Sequence, residues 1–244
     1  MPRSFGIVEE KMYESDFFLE KIAESDDMRE ANYYFSAFIS AARSVTFALQ
    51  ASLSGIAGFE EWYLEKQKIL RENQLARFFT DARNYSQKQG RIYIHSSSRQ
   101  YSIENEEIFP RRYYFDTPVS SSHNASLFVR IMLGDEQAEM QMVDAYTQGR
   151  SYMLLLSEII YDCFQRFGPI IDPEQYYTLD NIRNLGQTIE DVEENAGFPR
   201  GYTDADIPVE ERVRLIRNSQ PGTEIDYIFL KYLNKDRFGR AHEA

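Results

Sequence analysis

Phe35, Phe38, Ala42, Val45 and Leu49 recur at spacings of three and four, so they line one stripe of a helix about five turns long. A stripe that apolar cannot face water and commits the chain to a helical core. Ala31, Ala37, Ala41 and Ala48 are small and helix-favouring, and they let a neighbouring helix approach on the adjoining ridges. Ser54, Gly55, Ala57 and Gly58 end this helix, because glycine tolerates the left-handed backbone that follows a helix C-terminus. A second helix starts near Phe59. Trp62, Leu64, Ile69, Leu70, Leu75, Phe78 and Phe79 carry its apolar period towards Gly90, a candidate C-cap, with a break expected around Asn73. The result is a long helical hairpin over residues 33–90.

The flanking segments follow from the same reasoning. Residues 1–10 read as a lead-in, and Met12, Phe17, Phe18, Leu19 and Ile22 predict a first helix ending near Ser25 and Asp26, with Asp26 or Asp27 capping the next. From Arg91 the period drops to two. Residues 91–95 and 100–103 predict a hairpin turning at Ser96, Ser97 and Ser98, with further strands at 112–115 and 125–133. A long helix is expected from Asp135 to about Phe167, bent at Gly149 and stopped by Gly168 and Pro169. Beyond Pro173, Tyr176, Tyr177, Leu179, Ile182, Leu185, Ile189 and Val192 predict one amphipathic helix ending at Gly197 to Pro199. A short helix over 209–216, a turn at Pro221 and Gly222, an apolar segment over 226–233 and a disordered basic end from Lys235 complete the chain. The expected architecture is mainly α: a multi-helix bundle over residues 1–168, a small antiparallel β insertion at about 91–133, and a helical C-terminal extension over 169–244.

Charge and residue usage exclude several classes of function. Thirty-nine acidic against 27 basic residues give a formal net charge of -12, which argues against wholesale binding to a polyanion but leaves room for a local basic site. The lone Cys163 cannot form an internal disulfide and reads as a core residue. With no leader-like opening, the expected compartment is the cytoplasm. No apolar run reaches the length of a membrane span. His95, His123 and His242 lack metal-ligand spacing, and neither a phosphate loop nor a dinucleotide fingerprint is present, so no metal or cofactor is expected. The carboxylates Glu190, Asp191, Glu193 and Glu194 read as a solvated helix end.

Two places remain where chemistry can concentrate. Arg91, Tyr93, Arg99 and Tyr101 interleave charge with aromatic rings, as a platform for single-stranded nucleic acid does; an edge hairpin kept soluble by its arginines gives the same pattern. Arg43 and Arg83 sit on apolar helices, where each either pairs with a carboxylate such as Asp81 or Glu61 or extends to water along its aliphatic stem.

Arg83 is followed at once by Asn84. An alanine-rich helix, a short break, an aromatic-containing helix and then Arg-Asn at a helix end resembles the HEPN superfamily of helical bundles. The resemblance covers roughly the first ninety residues. It implies a homodimer and, for many members, a metal-independent endoribonuclease of toxin-antitoxin or defence systems, with the active cleft where two motifs meet. The family's motif continues to a histidine four to six residues beyond the arginine, and this chain has Lys88 there. Histidine, with a pKa of about 6.5, exchanges protons near neutrality, whereas lysine at about 10.4 is ordinarily a fixed cation. Arg83, Asn84 and Lys88 therefore look better suited to holding a phosphate than to cutting RNA. Two readings follow: a non-catalytic or degenerate HEPN-like protein binding RNA, a nucleotide or a protein partner, and an active ribonuclease using Arg83, Asn84 and Lys88.

Overall fold

A computed structural model of the chain describes residues 4–88, 94–96, 101–102, 107–108, 113–115, 144–172, 176–219 and 223–241. The described residues are mainly helical and form two compact units, Gly6–Leu156 and Met1–Phe5 with Ser157–Ala244.

In the first unit, α1 (Gly6–Glu24) packs on α2 (Met28–Leu53), which is followed by α3 (Phe59–Glu72) and α4 (Gln74–Lys88). Helix α1 starts at Gly6 rather than after a ten-residue lead-in, because Val8 as well as Met12, Leu19 and Ile22 is fully buried. Asp27 caps α2, its carboxylate accepting from the backbone N–H of Arg29 at 2.7 Å and of Glu30 at 3.0 Å. All five residues of the expected α2 stripe are buried. Gly55 and Gly58 take positive φ in the link to α3, and the break at Asn73 is a cap, its side chain accepting from the N–H of Ala76 at 3.0 Å. Helix α3 departs from the expected pattern. It buries Phe59, Trp62 and Tyr63 in its first turns, but Leu64 and Ile69 are 62% and 45% exposed. On α4, Ala76, Phe78, Phe79 and Ala82 are buried; Phe79 meets Phe38 edge-on at 5.6 Å and stacks on Tyr152 at 4.7 Å.

The β insertion pairs differently from expectation. Strand β1 (Ile94–Ser96) runs antiparallel to β4 (Tyr113–Phe115), and β2 (Tyr101–Ser102) to β3 (Glu107–Ile108), so 91–95 and 100–103 are not hairpin partners. Each pair is a separate two-stranded antiparallel ribbon among the described residues. Ser96 is a strand residue rather than a turn. The β1–β4 ribbon is pinned to the helices: buried Asn32 exchanges hydrogen bonds with the backbone of Ile94, and the Tyr113 hydroxyl donates to the Ser25 carbonyl at 2.7 Å. Gly90, Arg91, Tyr93, Arg99 and the strand expected at 125–133 lie outside the described residues.

Helix α5 (Ala145–Ile171) opens with Asp144, whose carboxylate accepts from the N–H of Thr147 at 2.7 Å; residues 135–143 lie outside the described set. Gly149 makes a close approach, since a β-carbon there would collide with Leu19 and come 3.4 Å from Phe38. Gly168 and Pro169 do not stop α5, which runs on to Ile171. Proline disfavours helix in the residue before it by crowding that residue's N–H and β-carbon, and Gly168 has no β-carbon to be crowded. A β-carbon at Gly168 would also intrude on the ring of Tyr176.

In the second unit, Phe5 stacks on Phe164 at 3.9 Å, and Cys163 is buried. The single helix expected after Pro173 is two, α6 (Leu179–Asn184) and α7 (Ile189–Asn195). Gly186 takes a left-handed φ of 66° between them, and Thr188 starts α7 with a capping box closed by Asp191. Ile182, Ile189 and Val192 pack with Val213 and Ile216 of α8 (Val209–Asn218). After α9 (Glu224–Leu233), the end expected to be disordered is ordered through Ala241. Asp226 accepts from the N–H of Arg237 at 2.7 Å, Asp236 from the N–H groups of Phe238 and Arg240, and Phe238 packs edge-on against Tyr176. Glu193 corrects the solvated reading of the acidic run. It is fully buried, and its carboxylate accepts from the N–H groups of Gly201, Tyr202 and Thr203 and from the Thr203 hydroxyl, with the Arg212 guanidinium 3.4 Å away.

No helix among the described residues is long and apolar enough to cross a membrane.

Candidate functional site

The polar faces of α2, α3 and α4 meet around an open cavity of about 330 Å³ in the first unit. Helix α2 contributes Arg43, Thr46, Phe47 and Gln50, at spacings that put all four on one face. Helix α3 adds Tyr63, Gln67, Leu70 and Arg71 in the same way, and α4 adds Ala76, Arg77, Thr80 and Asp81. Tyr152 of α5 completes the lining. Phe35, Phe38, Phe59, Trp62, Phe78 and Phe79 of these helices are buried in the core, while Phe47, Leu70 and Ala76 add apolar surface to the lining.

Three arginines, Arg43, Arg71 and Arg77, line the opening against one acidic residue, Asp81, on a chain whose net charge is -12. Neither Asp81 nor Glu61 pairs with Arg43, contrary to one sequence expectation. Arg43 donates to the Thr46 hydroxyl at 2.6 Å and lies 4.3 Å from the centre of the Phe47 ring, which is 49% exposed. Stacking uses the face of the guanidinium and leaves N–H edges for an acceptor. Arg71 donates to Gln67 at 3.1 Å, and the Tyr63 hydroxyl is committed to the Thr46 carbonyl at 3.0 Å. Arg77 is exposed, and its side chain has no hydrogen bond or ion pair among the described residues.

Tyr152 is buried, with 3% of its surface exposed, and its hydroxyl has no hydrogen-bond partner among the described residues. Burial pushes its phenol up to about 12, with the charge of Arg43 opposing the rise. It therefore stays protonated at neutral pH and can donate a hydrogen bond. Cations and donors around a half-open hollow suit an anion, most of all one with several oxygens in a compact group.

Of the residues singled out in the sequence, Arg43 lines the cavity, and the Arg-Asn motif with Lys88 lies elsewhere. Arg83 and Asn84 are half-buried on α4, and the Arg83 guanidinium donates weakly to the Asn84 side-chain oxygen at 3.4 Å. The Nε of Arg83 is buried without a partner among the described residues. Lys88 is exposed at the last position of α4, about 140° around the helix from Arg83 by the 3.6-residue period. None of the three lines the cavity, although Asp81 brings its wall to within one turn of Arg83. Of the ribbon residues, only Tyr101 is described, as backbone of β2. Arg71, Arg77 and Tyr152 were missed by sequence reasoning. Their signal was faint: polar residues at helical spacing on three successive helices, each of which reads alone as a solvent face.

Among the described residues, no three metal-ligating side chains converge. No curated protein and no solved structure matches the sequence at a significant level. Residues 20–145 match the family described as bacteriophage lambda protein ea47, a span that contains every cavity residue except Tyr152. Because that match covers more than half of the 244 residues, the chain belongs to the bacteriophage lambda Ea47 family.

Proposed function

We propose that this Ea47-family protein is a non-catalytic, HEPN-like binding protein, acting as a cytoplasmic homodimer, whose ligand is RNA or a nucleotide held through its phosphate in the cationic cavity. The observation that carries the reading is the gathering of Arg43, Arg71 and Arg77 around one hollow on an otherwise acidic chain. Binding is favoured over cleavage by the lining's chemistry. Guanidiniums do not exchange protons in this range, and a phenol pushed up to about 12 neither gives nor takes one near neutrality. Arg83 with Asn84, within one turn of the cavity wall on α4, supports the HEPN-like kinship.

Fluorescence anisotropy with a labelled RNA panel and with nucleotides as competitors tests this reading. Wild type should bind, Arg43→Ala should weaken binding by at least about tenfold, and Arg83→Ala should weaken it less. Absence of binding by wild type removes the RNA and nucleotide readings and leaves a protein partner, to be sought by pull-down. RNA cleavage that disappears in Arg83→Ala and Lys88→Ala would establish a ribonuclease instead. Light scattering reporting a strict monomer would count against the homodimer.

A further inference from the structure

We infer that the cavity selects a terminal phosphomonoester, whether at the end of an RNA strand or on a free mononucleotide, over the phosphodiesters inside a strand. The inference rests on the reading that this cavity takes a phosphate-bearing ligand. At about 330 Å³ it sits at the small end of ligand sites, whereas a strand held along its length needs a groove that tracks the backbone. A monoester carries about -1.5 to -2 charges at pH 7, against one for a diester, and so gains more from three guanidiniums opposed by a single Asp81.

The positions of the donors agree with this. Tyr152 is a buried residue whose hydroxyl has no protein acceptor among the described residues, and it lines the same hollow as the arginines of α2, α3 and α4. A monoester has three terminal oxygens, enough to satisfy Tyr152 while still engaging guanidiniums. A diester offers two, and its continuing chain must leave the hollow in both directions. The half-exposed ring of Phe47, beside Arg43, supplies a surface on which the attached base can stack.

One internally labelled RNA, prepared with a 5′-phosphate, a 3′-phosphate or hydroxyls at both ends, tests the inference on the full chain. At least one phosphorylated form should bind about tenfold or more tighter than the hydroxyl form. Tyr152→Phe, which keeps the ring stacked on Phe79, should bring that ratio towards one while changing the affinity of the hydroxyl form little. Equal binding of all three RNAs, still lost in Arg43→Ala, overturns end selection and leaves the phosphate-binding reading intact. Binding that is insensitive to Arg43→Ala, in a variant with an unchanged melting curve, overturns both. Displacement by adenosine monophosphate, but not adenosine, assigns the free nucleotide as a source; displacement only by phosphorylated RNA assigns the strand end.

Discussion

Asn32 does for the β ribbon what a neighbouring strand would otherwise do. Its side-chain nitrogen donates to the Ile94 carbonyl at 3.1 Å and to the Met28 carbonyl at 2.8 Å, while its oxygen accepts from the Ile94 N–H at 2.9 Å. Asn32→Ala leaves that buried backbone pair unsatisfied and should cost about 2 kcal/mol in chemical denaturation. Glu193 holds a loop of the second unit in a comparable way. Burial by itself would raise its pKa, but the hydrogen bonds from Thr203, Gly201 and Tyr202 outweigh it and bring the carboxyl down to about 2. A folded pKa below the ordinary 4.5 means that this stabilisation is complete above about pH 4.5 and is lost as pH falls towards 2. Glu193→Gln should therefore cost about 3 kcal/mol at pH 7, and its deficit relative to wild type should shrink between pH 4.5 and 2 in pH-dependent melting. Neither role was legible beforehand. An asparagine on a helix and a glutamate in an acidic run look alike whether buried or solvated, because their partners come from residues far along the chain or beyond the next loop.

Helices were the most legible elements, since an apolar stripe at a 3.6-residue period fits neither a strand nor a loop. The α2 stripe is buried as its spacing requires, and the break at Asn73 falls where expected. Punctuation was less legible. Pro169 reads as a stop, yet Gly168 before it lacks the β-carbon that the ring would crowd, and Gly186 splits what looked like one helix. Strand partners were lost because local turn residues cannot announce a pairing between β1 and β4. Gly168→Ala should destabilise the second unit by about 2 kcal/mol or more, through both the Tyr176 clash and the Pro169 conflict. Gly149→Ala should cost less, because the tip of Leu19 can move and alanine favours helix by about 1 kcal/mol. Thermal denaturation of the two variants side by side checks the order.

At the scale of the whole molecule, the net charge of -12 and the cationic cavity make opposing demands on an anionic ligand. The acidic surface repels a long polyanion, while three guanidiniums attract a short one locally. Composition revealed the first effect. The second was hidden because the cavity is assembled from four helices, and Arg71 and Arg77 acquire meaning only beside Arg43. Affinity should consequently fall with added salt with a shallow slope, corresponding to one or two phosphate charges at about 0.7 each for single strands, rather than the steep slope of a groove binder. Crystals soaked in tungstate, a heavy tetrahedral stand-in for phosphate, provide the most direct test of the central claim. The account predicts anomalous density within hydrogen-bonding reach of Arg43 and the Tyr152 hydroxyl. Density at Arg83 and Lys88 with the cavity empty would contradict it.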